Sequence, residues 1–289
     1  METERLYSRN VLTGGILVAL AMVIFGSYGL LVRFIQTDTL LLVWSMQIVG
    51  LICFLIYLLK KKALALSNPR KMLPRILLMT ILIVLADLSY FIALRETTVS
   101  TAVFVKFLMP VIVIIFTFRS SEISIKKLSI LVTLGLTGLL FILSSHGISF
   151  SADIGILWAL VTAFTLGFYL ILFKKVSSVV PVPVILFYRY TIATAIILPF
   201  VLSTTGVESQ ISASWPWLIG FGFLYAVVGT LIHMQGLKLT KVQYTAILGY
   251  VEPFAATILS LIFLGETLTP LIIIGGLLII SASALSLKS

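Results

Sequence analysis

Long runs of apolar residues limit the folds open to this chain more than any other feature of its sequence. A helix that crosses the core of a bilayer needs about 20 apolar residues, and ten runs of about that length follow one another here. They are 11–32, 40–59, 76–94, 99–118, 128–145, 154–173, 182–202, 217–237, 242–264 and 271–287.

The composition favours the same class of protein. Hydrophobic residues make up 60% of the chain and charged residues 10%, whereas a soluble domain has about 45–50% and about 25%. The runs lack the alternation of a membrane β-barrel strand, and a helix satisfies its own backbone in lipid. The sequence therefore predicts an all-α integral membrane protein with ten transmembrane helices. Its one cysteine, Cys53, cannot form an internal disulfide.

The basic residues predict how these helices are oriented. With the N-terminus in the cytoplasm, 16 of the 20 Lys and Arg residues lie on the cytoplasmic side and two, Arg33 and Arg95, lie outside. The positive-inside rule then predicts that both termini are cytoplasmic. We expect a multi-pass protein of the cell (inner) membrane. Despite the net charge of +10, nucleic acid is not an expected partner, because the basic residues cap helix ends and form no continuous stripe.

The two halves of the chain resemble each other. Residues 15–20 match residues 155–160 at five of six positions, and Thr97 and Pro110 match Thr240 and Pro253 at a constant offset of 143. Because each half holds five predicted helices, an odd number, the second half must be inverted in the membrane. Inverted repeats are an architecture of transporters, with the solute site near the midplane.

The repeat divides the chain into three parts. Residues 1–10 are predicted to be a cytoplasmic tail, residues 11–145 the first five-helix repeat and residues 150–289 the second.

Five ionisable residues lie within the predicted spans: Asp87, Lys106, Arg189, His233 and Glu252. A charged side chain at the bilayer centre costs at least about 2.5–3.5 kcal/mol on insertion scales, so we expect these groups to face a cavity or one another. Lys106 and Arg189 are candidates for holding a carboxylate or phosphate of a solute. Asp87 and Glu252 are candidates for carrying a coupling proton or sodium ion.

The repeat adds neighbours to this set. At the offset of 143, Tyr90 corresponds to His233 and Lys106 to Gly249, while Trp44 and Gln47 flank the counterpart of Arg189. The predicted solute-binding residues are Lys106, Arg189, Glu252, Asp87, Tyr90, His233, Trp44, Gln47 and Gly249. No metal site, catalytic residue or cofactor is expected.

Structural roles stay open for the same residues. Asp87 with Lys106, and Arg189 with Glu252, could each be an ion pair that locks two helices. His233 could bond a carbonyl of a neighbouring helix. Trp44, and also Tyr28 and Tyr169, are typical packing residues.

Two prolines in the middle of predicted spans indicate broken helices. Pro110 and Pro253 cannot donate to the carbonyls four residues earlier, which belong to Lys106 and Gly249. We therefore expect kinks with free carbonyls beside the buried charges in both halves. A kink that serves packing alone is the alternative.

Several segments resemble one known family. Thr101–Val105 with Pro110, and Thr245–Pro253 followed by Leu264-Gly265-Glu266 and Gly275-Gly276, resemble EamA-type transporters of the drug/metabolite transporter superfamily. The resemblance covers about residues 11–287. It implies small-molecule transport by alternating access through a cavity lined by the first four helices of each half. Lys106, and Arg119–Glu122 in place of Leu-Gly-Glu, depart from the pattern, and the family does not fix the substrate.

The leading hypothesis is a secondary active transporter, an exporter or exchanger, for a small polar metabolite. Opposite charges in one cavity suit a zwitterion such as an amino acid. The alternative is a structural or partner-binding membrane subunit without transport activity. An enzyme is not expected, because the sequence has no His-Glu-x-x-His and no Gly-x-Ser-x-Gly motif. The expected partners are the small-molecule solute and the lipid bilayer, and both a monomer and a homodimer stay open.

Overall fold

The computed structural model describes residues 2–28, 31, 37–61, 69–97, 99–117, 123–144, 154–264 and 269–287. These residues form helices and connecting turns, and no strand occurs among them. The helices are α1 (Glu2–Gly26), α2 (Thr39–Lys60), α3 (Leu73–Glu96), α4a (Val99–Lys106), α4b (Met109–Thr117), α5 (Ile125–Ser144), α6 (Ile154–Ser177), α7 (Val182–Leu202), α8 (Val207–Leu239), α9a (Val242–Leu248), α9b (Val251–Leu264) and α10 (Pro270–Leu287). A short 3-10 turn, Pro69–Met72, precedes α3.

The all-α membrane class predicted from the sequence is confirmed. Within the described residues, seven helices are long and apolar enough to cross a membrane. Three further apolar helices are shorter, namely Asn10–Gly26, Thr101–Thr117 and Pro270–Ser286. Each predicted span overlaps a helix, but ten crossings and the position of the termini stay predictions. Residues 2–10 of the predicted tail continue α1 as a helix.

Local sequence explains where several helices begin. The Asp38 carboxylate accepts a hydrogen bond from the backbone N–H of Leu40 at 2.8 Å and so caps the start of α2. Pro74 and Pro183 lie in the first turns of α3 and α7. Proline is favoured there because the first N–H groups of a helix have no helical acceptor.

The helices that contain Pro110 and Pro253 are both broken, as the sequence predicts. The breaks lie at Phe107–Leu108, between α4a and α4b, and at Gly249–Tyr250, between α9a and α9b. At the offset of 143 the two breaks lie within one residue of equivalent positions, because the first begins directly after Lys106 and the second begins at Gly249, its counterpart.

The carbonyl of Gly249 is not free, and that part of the prediction is wrong. It accepts a hydrogen bond of 3.0 Å from the backbone N–H of Glu252. The tighter turn at the break brings a donor three residues away into reach, which replaces the bond that the proline removes.

The sequence did not predict a π-helical segment that lies inside α8. It covers Phe223–Gly229. The wider turn frees carbonyls for side chains: the Tyr225 carbonyl accepts the Thr230 hydroxyl at 2.8 Å, and the Ala226 carbonyl accepts the Tyr190 hydroxyl at 2.6 Å. Such segments are common at functional sites.

Exchanging the two halves reproduces the helix packing. The most extensive contacts join α3 with α6, and the equivalent pair joins α8 with α1. Likewise, α6 packs on both parts of α4, while α1 packs on both parts of α9. The pairs α2 with α7 and α5 with α10 each join equivalent helices of the two halves.

Several of the described lysines lie at one end of the bundle, which we call the basic end. It contains the helix ends marked by Lys60, Lys126, Lys174, Lys238 and Lys241. A groove at this end lies between Tyr57 of α2, Pro183 of α7 and Lys238 of α8. A second groove lies between Lys126 of α5 and Leu285 of α10.

Close approach of two backbones explains one of the helix pairs. A Cβ atom added to Gly138 of α5 would lie 2.6 Å from the carbonyl oxygen of Gly275 in α10. Glycine is therefore required for the two helices to pack at this distance. Small residues serve the same purpose at many membrane helix interfaces.

We predict that Gly138→Ala destabilises the protein by about 1–3 kcal/mol, because the new methyl group overlaps the α10 backbone. The measurement is the unfolding midpoint in detergent. Gly220→Ala is the matched control, since a Cβ at Gly220 meets no atom within 4 Å. That control should be neutral or stabilising, because alanine favours a helix over glycine. Equal midpoints for the two variants would contradict this account of the interface.

Candidate functional site

The clearest ion pair joins the two broken helices. Nζ of Lys106, the last residue of α4a, lies 3.1 Å from Oε1 of Glu252, in the first turn of α9b. The pair therefore connects the first half of the chain to the second. The side chains are 13% and 24% exposed, so the pair is largely, but not fully, enclosed.

Aromatic rings complete the surroundings of Lys106. Its Nζ lies 4.5 Å from the centre of the Tyr90 ring and 5.1 Å from that of Phe107. The negative face of an aromatic ring attracts a cation, and this attraction is stronger where water is excluded. Lys106 therefore has a carboxylate and two rings as partners within the protein.

Arg189 of α7 is held by tyrosines. Its Nη1 donates to the Tyr169 hydroxyl at 3.2 Å, and Cζ of its guanidinium lies 4.5 Å from the centre of the Tyr190 ring. The residue is only 7% exposed, and its Nε has no hydrogen-bond partner. No carboxylate of the described residues forms an ion pair with it, so its charge is balanced only at longer range.

Asp87 of α3 lies near both basic side chains, since Arg189 and Lys106 are each close enough to interact electrostatically with its carboxylate. Among the described residues, however, neither one forms a direct salt bridge with it. Asp87 is partly buried, and its carboxylate also interacts electrostatically with the Tyr28 hydroxyl.

His233 of α8 extends the cluster. Its ring meets the Phe25 ring edge-on, with 5.8 Å between the ring centres, and it lies within electrostatic range of Arg189. Within the described part of the chain, His233 has this aromatic neighbour and forms no hydrogen bond with a backbone carbonyl.

The structure therefore brings six of the nine predicted residues together. They are Asp87, Tyr90, Lys106, Arg189, His233 and Glu252. They come from α3, α4a, α7, α8 and α9b, while α5 and α10 pack on each other outside the cluster. Arg189 is buried, and the other five are partly exposed.

The remaining three predicted residues have other surroundings. Trp44 packs in an apolar cluster with Tyr28, Leu88 and Phe91. Gln47 is 3% exposed, and both its Oε1 and the Trp44 Nε1 lack hydrogen-bond partners. Gly249 is buried at its helix break, against Phe107 and Met109 of the first half.

Both ion pairs offered by the sequence differ from those observed. Asp87 does not pair with Lys106, and Glu252 pairs with Lys106 instead of Arg189. The two helix breaks place the end of α4a against the start of α9b, and this geometry determines that Glu252 is the partner of Lys106. Sequence spacing does not contain that information.

Sequence reasoning also described one residue incompletely and missed another. Tyr169 packs in the apolar core, as expected, and its hydroxyl in addition accepts a hydrogen bond from Arg189. Tyr190 was not considered, although its ring lies over the guanidinium and its hydroxyl bonds to the π-helical segment. The position of Tyr190 next to Arg189 in the sequence did not predict this contact, because adjacent residues of a helix point in different directions.

The described residues contain no group of three or more His, Cys, Asp or Glu side chains that could hold a metal ion. The side chains that converge in the cluster offer carboxylate, ammonium, guanidinium and hydroxyl groups, which can bind charged and polar ligands.

Comparison with known proteins identifies the class of the molecule. The chain is 27% identical to an uncharacterized transporter of Archaeoglobus fulgidus over 264 residues, which cover 91% of this chain and 92% of that protein. It is 26% identical to an uncharacterized transporter of Synechocystis over 208 residues, 68% of this chain and 60% of the relative. A solved crystal structure shares the fold, with a TM-score of 0.80 and 18% identity over 94% of this chain and 95% of the other.

These relationships, together with a family match, indicate a multi-pass membrane transporter rather than an enzyme. The EamA-like transporter family model matches residues 12–144 and again residues 153–288. The chain belongs to that family, as its resemblance in sequence indicates.

We predict that Lys106 and Glu252 are energetically coupled. Lys106→Met and Glu252→Gln each leave one charge without its partner, which is more costly than removing both. The double variant should therefore lose less free energy of unfolding than the two single variants lose together, and the difference should be about 0.5–3 kcal/mol. Unfolding in detergent measures this.

The control cycle for this coupling combines Lys175→Met with Glu252→Gln. Lys175 is exposed in the last turn of α6, and the two effects should add. Additivity in the Lys106 cycle as well would show that the pair contributes nothing specific.

Proposed function

We propose that this transporter carries a small polar solute with ionised groups, such as an amino acid or a related zwitterion, by alternating access. Asp87 and Arg189 are the residues we assign to its charged groups. Lys106 and Glu252 already satisfy each other, whereas no described residue forms an ion pair with Asp87 or Arg189. That difference in partners is the single observation that carries the assignment.

Charge complementarity supports a zwitterion over a simple anion. A solute carboxylate would complete the hydrogen bonding of the Arg189 guanidinium. A solute ammonium could bind the Asp87 carboxylate, which lies within electrostatic range of the aromatic Tyr28 side chain, as Tyr90 does, and aromatic faces attract a cation. A simple anion would leave Asp87 unpaired and add a like charge near it, which costs free energy in a partly enclosed site.

Alternating access finds support in the positions of helix ends. The start of α7 lies beside the end of α2, and the start of α5 lies beside the end of α10. These pairs are the second and the fifth helices of the two halves, and in each pair the partners run in opposite directions. That relation is expected of an inverted repeat, in which each half can form the other's gate.

The location of the charges argues against the alternative of a structural subunit. A partner-binding subunit would present its polar residues on the outer faces of its helices. Here the ionisable residues of five helices, Asp87, Lys106, Arg189, His233 and Glu252, converge inside the bundle. A coupling proton or sodium ion would bind at Asp87 or Glu252, the acidic residues of the cluster.

The topology that underlies this proposal has a direct test. In a Cys53→Ser background, Lys61→Cys after α2 and Ser178→Cys before α7 should react with an impermeant maleimide from the cytoplasmic side. Ser209→Cys, near the start of α8, should react from the opposite side. All three residues are exposed. Labelling of Lys61→Cys and Ser178→Cys from different sides would rule out the inverted arrangement.

Transport itself is tested in proteoliposomes. Amino acids and related zwitterions are first screened for a rise in the melting temperature of the purified protein, because a ligand of the folded state stabilises it. Uptake of a hit should fall at least about tenfold in Asp87→Asn and in Arg189→Gln, since each variant loses a charge-assisted bond.

Lys175→Gln is the control for these uptake measurements, because it removes an exposed charge outside the cluster. It should retain wild-type uptake. Wild-type uptake in both Asp87→Asn and Arg189→Gln would remove these residues from the solute site and the proposal with them.

A further inference from the structure

We propose that Lys174 and Gln243 form a latch that holds the basic end of the transporter closed, and that this end opens when the latch releases. The proposal rests on alternating access as the proposed function. It concerns residues outside the charged cluster, and the solute plays no part in the contacts that carry it.

Lys174, in the last turn of α6, donates to three backbone carbonyls. Its Nζ lies 2.9 Å from the oxygen of Leu237, 2.7 Å from that of Lys238 and 2.6 Å from that of Thr240. An ammonium group has three N–H donors, and all three are used here. The acceptors lie at the end of α8, where carbonyls lack helical donors and the helix dipole favours a cation.

Gln243 makes the second bond of the latch. Its Nε2 donates to the Thr117 hydroxyl at 2.8 Å. This bond joins the start of α9a to the end of α4b. Both side chains are buried, with 5% and 6% of their residues exposed, so water does not compete for the bond in this conformation.

Both bonds cross between two groups of helices. One group consists of α3, α4 and α6, which pack on one another, and the other consists of α1, α8 and α9. Lys174 joins α6 to α8, and Gln243 joins α9a to α4b. By contrast, the bond of Ser89 to Thr162 lies within the first group, and that of Ser27 to Tyr225 lies within the second.

The surroundings of the latch are closed. Val113 of α4b, Val176 of α6, Leu237 of α8 and Ala246 of α9a are buried in one apolar cluster beside it. Their contacts fill the space between the two groups next to the latch. The groups cannot separate there unless the Lys174 and Gln243 bonds break.

The chemistry of the latch suits repeated release. Its partners are carbonyl and hydroxyl groups, which water can hydrate when the end opens, so no unpaired carboxylate is left behind. The net cost of breaking a hydrogen bond to a charged group is modest for this reason. A buried salt bridge in the same position would be more costly to break.

The experiment measures access to a reporter cysteine in the closed seam. Ala246→Cys in a Cys53→Ser background is buried and should react slowly with a water-soluble methanethiosulfonate reagent. Lys174→Met keeps an apolar side chain of similar length and removes all three donors. It should raise the labelling rate at least about tenfold, whereas Lys174→Arg should retain slow labelling.

Lys175→Met is the matched control. It removes the neighbouring, exposed lysine of the same helical turn and should label as slowly as the parent. Labelling is done in detergent micelles, so the result does not depend on which side of a membrane the basic end faces. An equal rate in Lys174→Met and Lys175→Met would overturn the latch.

A second variant keeps the test decisive if Lys174→Met does not fold. Thr117→Val preserves shape and removes the acceptor of Gln243, and it should also raise the labelling rate. Slow labelling in Thr117→Val would then overturn the proposal.

The measurement needs no solute, so it separates the two proposals. Faster labelling in Lys174→Met together with wild-type uptake in Asp87→Asn and Arg189→Gln would leave the latch standing and remove the solute site. Slow labelling in Lys174→Met together with lost uptake in Asp87→Asn and Arg189→Gln would overturn the latch and leave the solute site standing.

Discussion

The high cost of placing charge in hydrocarbon determines how this molecule is built. Two acidic and two basic side chains occur within predicted spans, and a lipid-facing position is unfavourable for each of them. The fold meets this constraint by directing them inward and by pairing Lys106 with Glu252 across two helix breaks. Irregular backbone is tolerated at membrane depth where protein surrounds it. The breaks thus position the two side chains, and their ion pair connects the first half of the chain to the second.

The features that the sequence predicted are those encoded locally. Span length and hydropathy follow from composition, and the breaks after Lys106 and Leu248 follow from Pro110 and Pro253, because a missing N–H acts on the nearest turn. The family was also evident, since the Thr245–Pro253 segment and the residues that follow it carry its pattern.

The features that sequence did not predict depend on the relative positions of distant helices. Four charges on four helices allow several pairings, and only the crossing of α4a with α9b decides that Glu252 takes Lys106. The same holds for Tyr169, which reaches Arg189 from a neighbouring helix. The π-helical segment in α8 is a third case, because one of its carbonyls accepts a hydroxyl from α7, a partner that α8 alone does not specify.

The formal charges of the central cluster have an electrical consequence. Asp87 and Glu252 balance Lys106 and Arg189, so with all four ionised the cluster carries no net charge of its own. Moving one elementary charge through the membrane potential is worth about 2.3 kcal/mol per 100 mV. A protein whose binding residues sum to zero adds nothing to that work, and any voltage dependence of its flux then reports the valence of the cargo and of any co-transported ion.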